Sequence, residues 1–169
     1  MLPSQKNDFS AFFQRKWMDP SKIEEKVAWL RSQGKTIATL NGSFDLMHAG
    51  HLHILYEASL QADILIVALN TDCSIKKYKS SDRPIVPLKE RLEMMAALQF
   101  VAYVTSFDEL DPRVLLEKIR PDVHVNGSEY GSDCIESEVV LKHGGKLHLV
   151  SRIPGLATST LIKKIKTCV

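Results

Sequence analysis

Seven consecutive residues, ILIVALN at 64–70, form an almost unbroken apolar run bounded by Asp63 and Thr71. Such a run is too short for a buried helix and lacks the alternation of a half-exposed strand. It suits a strand covered on both faces, the usual situation in a parallel sheet. The surrounding chain agrees. TIATLNG (36–42), VAYVTSF (101–107), DVHVNG (122–127) and KLHLV (146–150) read as strands. Between them lie helical patterns at HLHILYEASLQ (51–61), LKERLEMMAALQF (88–100, opened by Pro87), a segment capped by Asp111 and running to Ile119, and Ser137–His143, with STLIKKI after Thr158 as a last helix. This alternation predicts an α/β fold, a five-stranded parallel sheet with helices on both faces. Lys76–Asp82, polar and basic, reads as an exposed loop.

Ahead of this body, residues 1–34 read as an N-terminal helical arm. It carries Phe9, Phe12, Phe13 and Trp17, is interrupted by Pro20, and continues as a helix from a Ser21 cap to Gly34. Ile23, Val27 and Leu30 recur on it at helical spacing, the stripe of a helix packed on the body or on a second subunit.

The totals exclude several classes. A net charge of +2 gives no electrostatic footprint for duplex nucleic acid. No apolar run reaches membrane-spanning length, and the first residues contain no signal-peptide core. Cys73, Cys134 and Cys168 are scattered and odd in number, which points to a reduced, cytoplasmic protein without a disulfide frame.

The chemistry concentrates in NGSFDLMHAGHL (41–52), where a strand gives way to a helix. Gly42 permits a sharp turn and close ligand approach. His48 and His51 lie about one turn apart at a helix start, where unpartnered amides and the dipole attract anions, and Gly50 between them removes bulk. A zinc pair of His48 and His51 with His53 and Asp45 lacks three or four converging ligands at a recognisable spacing, so no metal ligand is assigned. Neither a G-x-G-x-x-G nor a Walker loop is present.

Gly42, Phe44, Asp45, His48, Gly50 and His51 together resemble the G-x-F-D-x-x-H-x-G-H signature of the cytidylyltransferase-like nucleotidyltransferases. The resemblance extends over about residues 35–166, through NTD (70–72), KSSDRPIVPLKER (79–91), PDVHVNGSEY (121–130) and GLATSTLIKKI (155–165). It implies a Rossmann-like three-layer α/β/α nucleotidyltransferase domain over 35–169. Within the family the joint pattern is most similar to the branch that adenylylates D-glycero-D-manno-heptose 1-phosphate. Arg152 is more a feature of the glycerol-3-phosphate cytidylyltransferase branch, and Asn126 and Glu129 stand where the heptose branch usually has Lys and Asp.

The resemblance implies direct transfer. A phosphate oxygen of a sugar or alcohol phosphate attacks the α-phosphorus of ATP or CTP, which is carried with Mg²⁺, and pyrophosphate leaves. His48, His51 and Lys79 are the implied catalytic residues. The histidines donate to the phosphates, better when protonated, and neighbouring phosphates would raise the pKa of one or both. Gly42, Ser43 and Phe44 line the phosphates with backbone amides. Thr158, Ser159 and Thr160 form a triphosphate clamp at a helix start, and Asn126, Gly127 and Glu129 hold the base. Arg83, Arg91 and Arg152 are assigned to the phosphorylated acceptor. Asp45 is assigned there too, orienting a histidine or the metal-bound triphosphate. A homo-oligomer is implied as well. A nucleotide-binding regulator that has lost catalysis is the reading from another class, opposed by the presence of both histidines, the lysine and the clamp hydroxyls.

Overall fold

The computed structural model describes residues 9–168. Five parallel strands form one sheet: β1 (Ile37–Gly42), β2 (Ile64–Asn70), β3 (Tyr103–Phe107), β4 (Val123–Gly127) and β5 (Lys146–Val150). Their order is β3-β2-β1-β4-β5. β1 is therefore central, and the chain reverses direction across the sheet between β1 and β4. In an open parallel sheet that switch leaves a crevice beyond the strands' carboxyl ends.

The helices are α1 (Phe9–Lys16), α2 (Ile23–Ser32), α3 (Ala49–Ser59), α4 (Asp72–Tyr78), α5 (Leu88–Ala97), α6 (Arg113–Ile119), α7 (Ser137–Lys142) and α8 (Thr158–Cys168). The two-residue side-chain period of the strands separates two cores. Ala38, Leu40, Leu65, Val67, Leu69, Val104 and Val125 face α3 and α5, meeting Leu55, Ala58, Leu92, Met95 and Ala96. Ile37, Ile66, Ala68 and Phe107 face the other way, onto Ile23, Val27 and Leu30 of α2 and Leu115 and Ile119 of α6. β2 is buried along all but its first residue, as its composition requires.

Three expectations meet the structure as follows. First, the 9–34 helices pack on the body, as the Ile23, Val27 and Leu30 stripe implies: α2 supplies much of one core, Phe13 and Trp17 pack on the other, and Trp17 bridges to Val104 along the outer edge of β3. Residues 1–8 of the expected arm lie outside the described residues. Second, Ser21 is not the cap. The Asp19 carboxylate accepts from the Ser21 amide (2.8 Å), opening a single turn at Pro20–Lys22 before α2 begins at Ile23. Third, Lys76–Asp82 reads as loop throughout, yet α4 runs through Tyr78. Thr71 caps it by accepting from the Ser74 amide (3.1 Å), with Asp72 in its first turn and Lys76 and Lys77 in its last. The loop starts at Lys79.

Candidate active site

β1 ends in a turn that folds back on its own phenylalanine. Phe44 is 4% exposed and sits in the α3-side core, with a backbone φ of 45°. A non-glycine residue in that region costs on the order of 1–3 kcal/mol, which core burial of the ring offsets. Gly42 eases the same fold: a Cβ there would lie 3.2 Å from the Phe44 ring and press on it. The result is a half-buried backbone turn at Ser43 directly beyond the central strand.

The Phe44 ring meets His51 edge-on, with centroids 5.5 Å apart, and His51 stacks on His48 at 3.9 Å. His48 is the N-cap of α3, its Nδ1 accepting from the Gly50 amide at 3.1 Å. That bond fixes the tautomer: the proton of the neutral ring is on Nε2. Gly50 serves this ring, since a Cβ would lie 2.9 Å from His48 Cε1 and 3.1 Å from the Leu156 Cβ. Its amide is spent on His48.

Both histidines are biased toward the neutral form. Burial, then His48 and Lys79, push His51 down to about 4, and burial followed by the Arg152 charge lowers His48. The expected raised pKa therefore does not belong to the ligand-free protein. His51 Nδ1 is buried without a hydrogen-bond partner. Neutral imidazoles crowded among cations are poised to receive an anion.

The 79–91 segment is clamped to the turn. The Asp45 carboxylate is 1% exposed; it accepts from the amides of Ile85 and Val86 (2.8 Å each) and pairs with Arg83. Asp45 thus anchors the loop rather than a histidine or a metal-bound phosphate. Arg91 also departs from expectation. Fully buried at the start of α5, it donates to the carbonyls of Val86, Ser43 and Asn70 at 2.9, 2.6 and 3.0 Å and to Asp72 at 2.7 Å. Its donors tie β1, β2 and the loop together and reach no cavity. Arg83 is held by Asp45 and does not line the cavity either. Lys79 does line it, its Nζ donating to Ser43 Oγ at 2.8 Å, with burial and then Arg83 lowering its pKa.

The opposite wall comes from β4, β5 and α8. A cavity of about 460 Å³ brings together Gly42, Ser43, Phe44, His48, His51 and Lys79 with Asn126, Gly127, Glu129, Arg152, Thr158 and Ser159. Thr160 lies one position further along α8, exposed and outside the lining. Two helix N-termini, of α3 and α8, therefore face one space. Sequence reasoning missed several lining groups, among them Asn41, Tyr130 and Ser151, and a buried carboxylate behind the wall, Glu136, which accepts from Asn126 Nδ2 at 3.2 Å. Among the described residues no group of three or more His, Cys, Asp and Glu is arranged to hold a metal, and no helix is long and apolar enough to cross a membrane.

A family profile described as cytidylyltransferase-like matches residues 39–165, the strands and loops that build this cavity. The chain belongs to the cytidylyltransferase-like family. The matched residues include those named above that line the cavity. Among curated relatives, the bifunctional protein HldE of Geobacter sulfurreducens is 40% identical over 140 residues, covering 82% of this chain and 29% of that protein. HldE of Salmonella arizonae is 38% identical over 151 residues, covering 89% and 32%. This cytidylyltransferase-like chain spans about a third of the length of these relatives. The solved structure of the lipopolysaccharide core biosynthesis protein from Thermoplasma volcanium aligns with a TM-score of 0.58 at 25% identity, over 71% of this chain and 98% of that one.

Proposed function

We propose that the chain transfers the adenylyl group of ATP to a sugar 1-phosphate, D-glycero-D-manno-heptose 1-phosphate, giving ADP-heptose and pyrophosphate. The observation that carries the reaction type is the shared cavity: His48, His51, Lys79, Arg152 and the starts of α3 and α8 converge on one space. The heptose acceptor rests on the motif resemblance and on likeness to HldE and to a lipopolysaccharide core biosynthesis protein.

The acceptor's phosphate oxygen forms the new bond to the α-phosphorus as the bond to the bridging oxygen of pyrophosphate breaks. The nucleophile is already an anion, so the protein's work is alignment and charge placement. His48 Nε2–H points a neutral donor at the developing charge, with its tautomer set by Gly50. His51, stacked behind it, becomes the better donor as phosphates enter and favour its protonated form. Lys79 reaches over from the clamped loop, next to the Ser43 turn. Thr158, Ser159 and the first amides of α8 meet the triphosphate from the other side. Mg²⁺ bound to the triphosphate would neutralise part of its charge. Glu129 is the one carboxylate among the lining residues, so phosphate oxygens and water would hold most of that ion, an arrangement magnesium accepts.

Arg152 in the lining favours a second reading, cytidylyl transfer from CTP to an alcohol phosphate. Pyrophosphate release, measured with ATP or CTP against heptose 1-phosphate, other sugar phosphates and glycerol 3-phosphate, separates them. Release with ATP and the heptose 1-phosphate supports the first reading. Release only with CTP and glycerol 3-phosphate replaces it with the second. Nucleotide binding without release in any pairing leaves a regulator.

A further inference from the structure

The wall of the cavity after β4 contains a side-chain amide whose orientation is dictated from behind. Asn126, 5% exposed, lines the cavity at the end of β4. Its Nδ2 donates at 3.2 Å to Oε2 of Glu136, which is 6% exposed and lies just ahead of α7. A carboxylate only accepts, so the amide nitrogen, not the oxygen, must face it. Asn126 cannot flip without setting two acceptors against each other in a buried place. The polar atom left for the cavity is Asn126 Oδ1, an acceptor of fixed direction.

We propose that Glu136 is a positioning residue for nucleotide choice: by fixing the Asn126 amide it presents Oδ1 to the exocyclic amine of an amino-bearing base, adenine or cytosine. This rests on the reading that the base sits at this end of the cavity. A base with a carbonyl at that position, hypoxanthine or uracil, would set oxygen against oxygen and leave both desolvated without a hydrogen. Rejection of that kind is strong, because an unpaired buried acceptor loses its hydration with no return. The cavity wall so built distinguishes amine from carbonyl and leaves the choice between ATP and CTP to ring size.

The test compares ATP with ITP and CTP with UTP, pairs that differ at the amine. Calorimetric binding and kcat/KM for pyrophosphate release are measured for the parent and for Glu136→Gln. Glutamine has nearly the same shape but offers either end of its own amide, so Asn126 is free to turn over. The parent should prefer the amino member of its better-bound pair by at least about tenfold, and Glu136→Gln should reduce that preference to below about threefold. Asn126→Leu, which removes the acceptor, should abolish the preference as well. A general loosening of the fold would weaken both members of a pair together and leave the ratio alone. Equal binding of ATP and ITP and of CTP and UTP by the parent overturns the proposal. So does a folded Glu136→Gln protein that keeps the parent's ratios. Discriminating binding in a parent that releases no pyrophosphate would support the amide assignment while defeating the transfer reading.

Discussion

Gly50→Ala separates stability from catalysis at the site. In the helix interior alanine is favoured over glycine by about 1 kcal/mol, and somewhat less in the first turn of α3, where residue 50 lies. Against this, the new methyl would lie 2.9 Å from His48 Cε1 and 3.0 Å from Nδ1, so the imidazole must swing off the Gly50 amide. Losing that N-cap bond costs about 1 kcal/mol. The 3.1 Å approach to Leu156 Cβ adds a small strain that a shift of the loop before α8 relieves. The two main effects nearly cancel, and the melting temperature should stay within about 4 °C of the parent. Catalysis has no such compensation. His48 loses the bond that fixes its tautomer and direction, and displacement of a donor by about 1 Å costs on the order of 10² in rate. The assay is pyrophosphate release with ATP and the sugar 1-phosphate, alongside a thermal melt of the same preparation. Parental turnover in Gly50→Ala would show that the capped pose of His48 is not the working one. A collapse in melting temperature would show that the glycine is retained for folding instead.

His51→Ala should lower turnover on the order of 10²–10³ while nucleotide affinity, by calorimetry, stays within several-fold; equal turnover removes His51 from the mechanism. Lys79→Met should lower kcat on the order of 10² with the melt unchanged, and an unaltered kcat would make Lys79 a bystander. Asp45→Asn leaves Arg83 unpaired and weakens the loop clamp by roughly 3 kcal/mol, so trypsin should cut after Lys79 on the order of 10² faster by mass spectrometry; unchanged cleavage denies the clamp. Burial lowers His124 from 6.5 to about 4, its Nδ1 bonded to Thr39 Oγ1 at 2.8 Å. Folding thus favours the neutral ring: its stabilisation is complete above about pH 6.5 and is lost as pH falls toward 4, a change of roughly 3 kcal/mol. Urea unfolding from pH 7.5 to 5 should show that slope in the parent and a shallower one in His124→Gln; identical slopes would assign the acid sensitivity elsewhere.

The strands were legible because burial on both faces leaves an unmistakable composition, as in ILIVALN, and the signature at 41–52 because its residue types have few other uses together. Strand order was not, since it depends on which side chains meet across the sheet. Arg91 shows the difficulty plainly. A charged residue in the first turn of a helix reads as surface or ligand contact, and three of its four acceptors, the carbonyls of Ser43, Asn70 and Val86, carry no side-chain signal at all. Glu136 was hidden likewise, because an acid just before a helix ordinarily serves the helix dipole. α4 was recoverable: Thr71 followed by Asp72, with Lys76 and Lys77 a turn and more later, is a complete set of helix boundary signals that the polar composition obscured.

The starts of α3 and α8, Ala49 and Thr158, lie far apart in the chain, and only the finished sheet sets them face to face. On the proposed reading a triphosphate spans both helix starts, so nucleotide in the medium acts on the last stage of assembly: it draws the completed domain out of the folding equilibrium by mass action, and a fragment ending before Thr158 would gain nothing from its presence.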